Sequence, residues 1–210
     1  NTDKTQTITF TTPHLSATIP FFEDFDTDDI VSDIHFVHEE GNNRWIVGDS
    51  TGYSQTTQNT EGRSLYISND SASYSYQNNS STYTFAYVQV ELSDPELEYN
   101  LSFDYKVPGG ENGWDYLSVY LIDANQVVNS DLYYNSSIPT LLSKKSYVAD
   151  WTNFSYTFPH EMIGETKKIV FMWRNDSAGG SNPPAAVDNI HIFYILTMHF
   201  QSNNTFDYLY

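Results

Sequence analysis

The strongest constraint on the fold of this chain is the alternation of apolar and polar residues, which recurs along most of its length. Five segments show the pattern clearly: residues 65–68, 87–92, 101–106, 116–121 and 154–158. Because successive side chains of a β-strand point to opposite faces, each segment is predicted to be a strand with one face in a core and the other in water. An amphipathic helix would instead repeat every ~3.6 residues, and no segment does so convincingly. The sequence therefore predicts an all-β protein.

The spacing of the predicted strands and turns narrows the architecture. Residues 169–173 are apolar on both faces, which is typical of a strand at the centre of a sheet. Turn signals rich in proline and glycine separate the strands at 94–95, 108–110, 179–180 and 183–184. Many short strands at this spacing predict a jelly-roll β-sandwich of two antiparallel sheets. The weakly patterned stretch 123–150 is predicted to be an extended loop, with a short strand or helical turn near 139–142 as an open alternative.

Composition excludes several classes of function. The chain has 27 acidic and 9 basic residues and a formal charge of −18, so it lacks the basic clusters that bind nucleic acid or an anionic membrane. It has no cysteine, which excludes a disulfide framework, a thiolate metal site and a cysteine nucleophile. No apolar run approaches the ~18 residues of a membrane span, so membrane insertion is not expected. The acidity has two interpretations: solubility, or carboxylates that converge on a hard cation.

Two acidic motifs near opposite ends of the chain favour the cation. Glu23 and Asp26 lie in the first motif, and Asp188 lies in the predicted last strand. If the first and last strands pair, these carboxylates meet, and without a cation they would repel one another. Asn69 and Asp70, in a neighbouring turn, would add oxygen ligands. The sequence predicts a structural Ca²⁺ held by these five residues; the alternative is that the acids are simply solvated.

The order of several motifs along residues 20–192 resembles a known family. The motifs lie at 23–26, 64–70, 101–105, 114–121, 173–176 and 183–190. Together they resemble the cleaved-adhesin, or choice-of-anchor J, family of MAM-like jelly rolls, which are common in surface and secreted proteins of Bacteroidetes-type bacteria. The resemblance implies an extracellular or cell-surface domain, similar to calcium-stabilised carbohydrate-binding modules and to adhesin regions. The chain departs from the eukaryotic MAM pattern in having no cysteines.

The two ends of the chain differ from its middle. Residues 1–19 resemble the last strand of a fibronectin type III-like module followed by a linker. Residues 20–192 are predicted to form the jelly-roll domain, and residues 193–210 form a tail to which no role is assigned. Neighbouring domains of the same chain are therefore among the expected partners.

No catalytic constellation is indicated. Residues 48–52 fit the Gly-x-Ser-x-Gly pattern of a nucleophile elbow, but that elbow needs a following helix, which residues 53–57 do not predict. The six histidines are scattered, and no spacing among the acids points to a glycosidase pair. The chain is therefore predicted not to be an enzyme, and no catalytic residue is assigned.

Aromatic residues carry the binding hypothesis, because their rings stack on the apolar faces of sugars. Trp114, in a glycine-rich turn, is predicted to be an exposed platform, although a packing role is the alternative. Tyr133 and Tyr134, in the long loop, are the next candidates, whereas the other three tryptophans are expected in the core. The leading hypothesis is a carbohydrate-binding domain of a larger surface or secreted protein, with glycans as partners. The alternatives are an adhesin that binds host surface or matrix proteins, a structural spacer, and an accessory domain of a secreted hydrolase.

Overall fold

Strands account for most of the computed structural model, which describes residues 15–27, 33–51, 62–135 and 140–196. In chain order the strands are β1 (Phe21–Glu23), β2 (Ile34–His38), β3 (Arg44–Gly48), β4 (Ser64–Ser68), β5 (Thr82–Glu91), β6 (Leu97–Val107), β7 (Tyr116–Asp123), β8 (Thr140–Lys145), β9 (Val148–Thr157), β10 (Thr166–Asn175) and β11 (Ala186–Leu196). One short α-helix, α1 (Asp131–Tyr134), precedes β8, and a 3₁₀ turn (His160–Met162) precedes β10. The structure confirms the all-β prediction.

The strands form two antiparallel sheets. The front sheet has the order β2-β5-β10-β7-β8, and the back sheet has the order β3-β4-β11-β6-β9, with β1 also paired to β11. The chain changes sheet between most consecutive strands from β4 to β11, which is the crossing pattern of a jelly roll. The structure therefore confirms the predicted jelly-roll β-sandwich. The strand β10 lies at the centre of its sheet, as the doubly apolar run predicted.

The main core lies between the two sheets. On β10, Ile169, Phe171 and Trp173 point into this core, and Val170 and Met172 point to the opposite face of the front sheet. Trp45 is also buried there, as expected. The third tryptophan assigned to the core, Trp151, is only partly buried on β9, so that expectation was wrong.

The outer face of the front sheet is covered and is not the solvent-exposed face that the alternation predicted. A second apolar cluster lies on it, built from β5, β7 and β10 and covered by the β7–β8 connection through Val128 and Leu132. Residues 123–150 therefore contain α1, β8 and the start of β9 rather than an extended loop, and β8 is the short strand that the sequence left open.

The predicted division of the chain into residues 1–19, 20–192 and 193–210 stays a prediction. In the described residues, β11 continues past position 192 to Leu196, and the backbone N–H of Ala17 donates to the carbonyl of Gln89 at 2.8 Å. Residues 1–14 and 197–210 lie outside the described residues. Within the described ranges, no helix is long and apolar enough to cross a membrane.

Candidate functional site

A cluster of aromatic and basic side chains lies at one end of the outer face of the front sheet. On β10, Arg174 pairs in register with Tyr83 of β5 and with Tyr116 of β7. Because directly paired residues of neighbouring strands share a face, the guanidinium lies between the two tyrosines. On the next strand, β8, Lys144 pairs with Ser118 of β7, one step further along the same face.

The three residues predicted to bind a ligand converge on this cluster. The guanidinium carbon of Arg174 lies 5.4 Å from the ring centre of Trp114 and 5.2 Å from that of Tyr133, within cation–π range. Arg174 also donates through Nη1 to the backbone carbonyl of Trp114. The hydroxyl groups of Tyr134 and Tyr83 lie 3.0 Å apart. We name this group the aromatic site; its members are Tyr83, Trp114, Tyr116, Tyr133, Tyr134, Lys144 and Arg174.

The aromatic site has an exposed rim and a buried floor. Trp114 is 51% exposed and Tyr134 is 68% exposed, whereas Arg174 is only 6% exposed and Tyr116 is buried. Exposed rings beside buried polar groups provide a stacking surface together with hydrogen-bonding groups, two of the elements that small-molecule sites combine.

Local backbone geometry presents Trp114 at the rim. The backbone N–H of Asp115 donates to the carbonyl of Glu111 at 2.8 Å, which closes a tight turn before β7. Within this turn Gly113 has a φ of 85°, a conformation that favours glycine. The turn is further fixed by Asp115, whose buried carboxylate accepts hydrogen bonds from the Tyr76 hydroxyl at 2.6 Å and the Asp176 N–H at 3.0 Å.

A second candidate site lies on the outer face of the back sheet, where acidic residues from β1, β6 and β11 gather. Asp104 of β6 and Asp188 of β11 are directly paired, and they are 1% and 5% exposed respectively. Like charges that face each other across a pair of strands destabilise it. Glu23 of β1 pairs with Ile190, close to this point. We name Glu23, Asp24, Asp26, Asp104 and Asp188 the acidic site.

The acidic site raises the pKa values of two of its members. Burial, followed by the charges of Asp26, Asp104 and Asp24, raises the pKa of Asp188 to about 8. Burial also raises the pKa of Glu23 to about 7, and the charges of Asp24 and Asp26 add to the shift. Both carboxyl groups therefore retain protons close to neutral pH.

Hydrogen bonds fix the shape of the acidic site. The register of β11 shifts between Asp188 and His191, and Asn189 there has a φ of 51°. The Nδ2 group of Asn189 donates to Asp104 Oδ2 at 2.9 Å. Asp26 Oδ1 accepts from the backbone N–H of Arg63 at 3.0 Å, which ties the chain after β1 to the start of β4.

The structure does not bring Asn69 and Asp70 to the acidic site. Val187 pairs with Leu65, so Asp188 lies beside the start of β4, whereas Asn69 and Asp70 follow its end. The intervening strand residues span on the order of 13 Å. Asp70 is held within its own turn by the backbone and hydroxyl groups of Ser73 and by its other neighbours, which lower its pKa.

Of the five predicted calcium ligands, the structure places Asp26 near Asp188, together with Asp24 and Asp104, and Glu23 lies near Asp24 and Asp26. In the part of the chain that the structure describes, no three acidic or histidine side chains are close enough to hold a metal ion as they stand. A cation at the acidic site would have to draw the carboxylates closer together and recruit carbonyl oxygens or water.

Sequence reasoning missed Tyr83, Tyr116, Lys144 and Arg174 in the aromatic site, and Asp24 and Asp104 in the acidic site. One signal was available: Arg174 is a charged residue in a run that is otherwise apolar on both faces. Asp104 gave no such signal, because an acid at an outward position of a strand is the ordinary pattern.

No protein-family model matches the chain, and no curated protein sequence matches it either. Many solved structures are similar to it in fold, among them the following three. The enzymatically active domain of tailspike protein 4 from bacteriophage CBA120 is 10% identical, with a TM-score of 0.47 over 82% of this chain and 20% of that one. This chain therefore spans about a fifth of the tailspike chain.

The other two structures match along nearly their whole length. TmCBM61, solved in complex with beta-1,4-galactotriose, is 12% identical, with a TM-score of 0.49 over 87% of this chain and 99% of that one. The K3 cleaved adhesin domain of Lys-gingipain from Porphyromonas gingivalis w83 is 15% identical, with a TM-score of 0.49 over 82% of this chain and 98% of that one. At such identities and TM-scores, none of these structures assigns a ligand or an activity to this chain. Membership of the cleaved-adhesin family stays a prediction.

Proposed function

We propose that this chain is a non-catalytic carbohydrate-binding domain and that the aromatic site holds the glycan. One observation carries the proposal: the exposed rings of Trp114 and Tyr134 stand beside a buried floor that contains the Arg174 guanidinium. Sugars present apolar C–H faces that stack on such rings, and their hydroxyl groups accept hydrogen bonds from donors in the floor. An extracellular or cell-surface location, within a larger surface or secreted protein, is part of the proposal and rests on the family resemblance.

We further propose that the acidic site binds a structural Ca²⁺. Carboxylates are the ligands that Ca²⁺ prefers, and five of them gather there. The support is electrostatic. A cation would reduce the repulsion between the directly opposed, buried Asp104 and Asp188. It would also favour the charged forms of Glu23 and Asp188, whose pKa values are raised.

The experiment is binding to a glycan array that also carries host matrix proteins, performed with Ca²⁺ and again with a chelator. We expect saturable glycan binding that Trp114→Ala abolishes. The matched control is Tyr194→Ala, which removes another exposed ring, on the back sheet. Glycan binding that survives Trp114→Ala would exclude the aromatic site as its location.

The alternatives are outcomes of the same experiment. Binding to matrix proteins without binding to glycans would indicate a protein-binding adhesin. Silence on both would favour a structural spacer. An accessory domain of a secreted hydrolase would give the same binding result as a free-standing module, since the two differ only in the parent protein.

A further inference from the structure

We infer, resting on the proposed function of the aromatic site, that its glycan carries an acidic group: a uronic or sialic acid carboxylate or a sulfate ester. Arg174 and Lys144 would bind this group. The inference comes from the two positive charges of the site, the buried Arg174 and the exposed Lys144, which the proposed stacking on Trp114 and Tyr134 does not use.

The first observation is that Arg174 is a buried cation with no carboxylate beside it among the residues that the structure describes. Its contacts among the described residues are the carbonyl of Trp114, the hydroxyl of Tyr83, and the rings of Trp114, Tyr116 and Tyr133. Its Nε atom is buried and has no hydrogen-bond acceptor among the residues described. Burying a charge is costly unless a partner of opposite charge is near, and ring contacts compensate only part of that cost.

The second observation is that Tyr116, on the strand between β10 and β8, contacts a second cation, Lys144. The Nζ of Lys144 lies 3.8 Å from the ring centre of Tyr116, and the guanidinium carbon of Arg174 lies 5.8 Å from the same point. Burial and the charge of Arg174 lower the pKa of Lys144. The main causes of the pKa shifts of the two cations are burial, the neighbouring tyrosines and, for Lys144, the charge of Arg174; no Asp or Glu is among them.

The two buried lysines of β10 differ: Lys168 donates to the carbonyl of Gln126 at 2.9 Å and has no carboxylate among the causes of its pKa shift, whereas Lys167 is paired with carboxylates. The Nζ of Lys167 lies 2.6 Å from Asp123 Oδ1 and also contacts Glu165, so two carboxylates neutralise it. Among the described residues, neither Arg174 nor Lys144 has such a carboxylate partner, although the chain has 27 acidic residues. An anion on the ligand would supply the missing charge, and the planar guanidinium suits a carboxylate or sulfate in particular.

An unsatisfied hydroxyl adds a donor to the same floor. The hydroxyl of Tyr116 is buried and has no partner among the described residues. Since buried hydroxyl groups are normally hydrogen-bonded, this group and Arg174 Nε are two donors available to the oxygens of a bound ligand.

The experiment compares neutral oligosaccharides with counterparts that differ only by one carboxylate or one sulfate ester, with affinity measured by titration calorimetry. We expect the acidic counterparts to bind more tightly, and the two acidic arms to distinguish a carboxylate from a sulfate. Lys144→Gln should weaken acidic ligands roughly five- to tenfold and neutral ones less than about twofold. Lys144 is exposed, so this variant should fold normally.

The matched control is Lys145→Gln, which removes the same charge from the adjacent residue of β8, where the side chain points to the other face. Arg174→Lys keeps the positive charge but loses the planar set of guanidinium donors. It should weaken the binding of the acidic ligands more than Lys144→Gln does. Equal affinity for neutral and acidic counterparts, or an equal loss of both in Lys144→Gln, would overturn the inference and leave the proposed function in place. Silence on every glycan would overturn the proposed function itself and this inference with it.

Discussion

Raising the pH of the calcium-free protein from about 5 to about 8 should destabilise it, because the acidic site holds protons in the folded state. The pKa of Asp188 is about 8 in the folded chain against an ordinary value of 3.8, and that of Glu23 is about 7 against 4.5. At a pH between the ordinary and the raised pKa of each group, that carboxyl group has lost its proton in the unfolded chain and keeps it in the folded chain. The free energy of unfolding must therefore fall as the pH rises through this window.

The magnitude follows from the proton difference. One proton bound only by the folded state changes the free energy of unfolding by about 1.4 kcal/mol per pH unit. For Asp188 this gives at most about 4 kcal/mol over the three pH units, and relaxation and water entry should reduce it to about 2–3 kcal/mol. A change of that size shifts the melting temperature of a domain of this length by roughly 4–12 °C. Glu23 acts in the same direction, but it is partly exposed and screened, so we assign it no magnitude.

The assay is thermal or urea unfolding at several pH values, in chelator and in excess Ca²⁺, on the wild type and Asp188→Asn. The variant cannot titrate at this position, so its calcium-free stability should depend less on pH. His38 and His191 have lowered pKa values, and they favour the folded state as the pH rises through their titration range. The difference between the wild type and the variant is therefore the quantity to compare.

Calcium provides the second arm of the assay. Ca²⁺ should stabilise the wild type more at pH 8 than at pH 5, because at low pH it competes with bound protons, and it should do little for Asp188→Asn. The matched control is Asp70→Asn, which removes an acid that the structure places outside the acidic site. If calcium-free stability is the same at pH 5 and pH 8 in both proteins, the raised pKa of Asp188 is wrong. If Ca²⁺ leaves the wild type unchanged at pH 8, the cation site is refuted.

The remaining predictions concern packing and the independence of the two sites. Phe171→Ala, in the main core on β10, should lower the free energy of unfolding by about 3–5 kcal/mol in urea titration, and a loss below about 1 kcal/mol would contradict its place in the core. Gly109→Ala should cost about 1–3 kcal/mol, because an added Cβ would collide with the backbone carbonyl of Ser181; the same titration measures it, and unchanged stability would show that this close approach is absent. Chelation at a temperature well below the melting point should leave the glycan affinity of the aromatic site unchanged by calorimetry; a large loss would show that the two sites are coupled.

The sequence predicted the sandwich because its evidence was local and repeated. Alternation identified β4, β5, β6, β7 and β9, and the doubly apolar run identified β10 as a central strand. The outer face of the front sheet was predicted to be wet, because tyrosines at outward positions are compatible with either water or a cover. What buries them is the β7–β8 connection, whose Leu132 comes from a four-residue helix, too short to produce a periodic pattern.

The candidate sites were only partly predictable, for a related reason. Glu23 and Asp188 could be joined from sequence because the first and last strands of a jelly roll can be expected to pair. Asp104 could not be added, since its burial depends on which strand lies beside β11 and in which register. Asn69 and Asp70 looked like neighbours of the acidic site because the register of β4 against β11 was unknown.

The positions of the two sites determine what a calcium ion could do in this domain. Asp188 and Asp104 lie on the outer face of the back sheet, and Arg174 lies on the outer face of the front sheet. The main core separates them, and packed sheets stand about 10 Å apart before the side chains on either outer face are added. A cation at the acidic site therefore has no direct contact with a glycan at Trp114, and it cannot bridge ligand and protein. Its effect would be to hold β1 and the start of β4 against β11, which changes the stability of the scaffold and not the chemistry of the aromatic site.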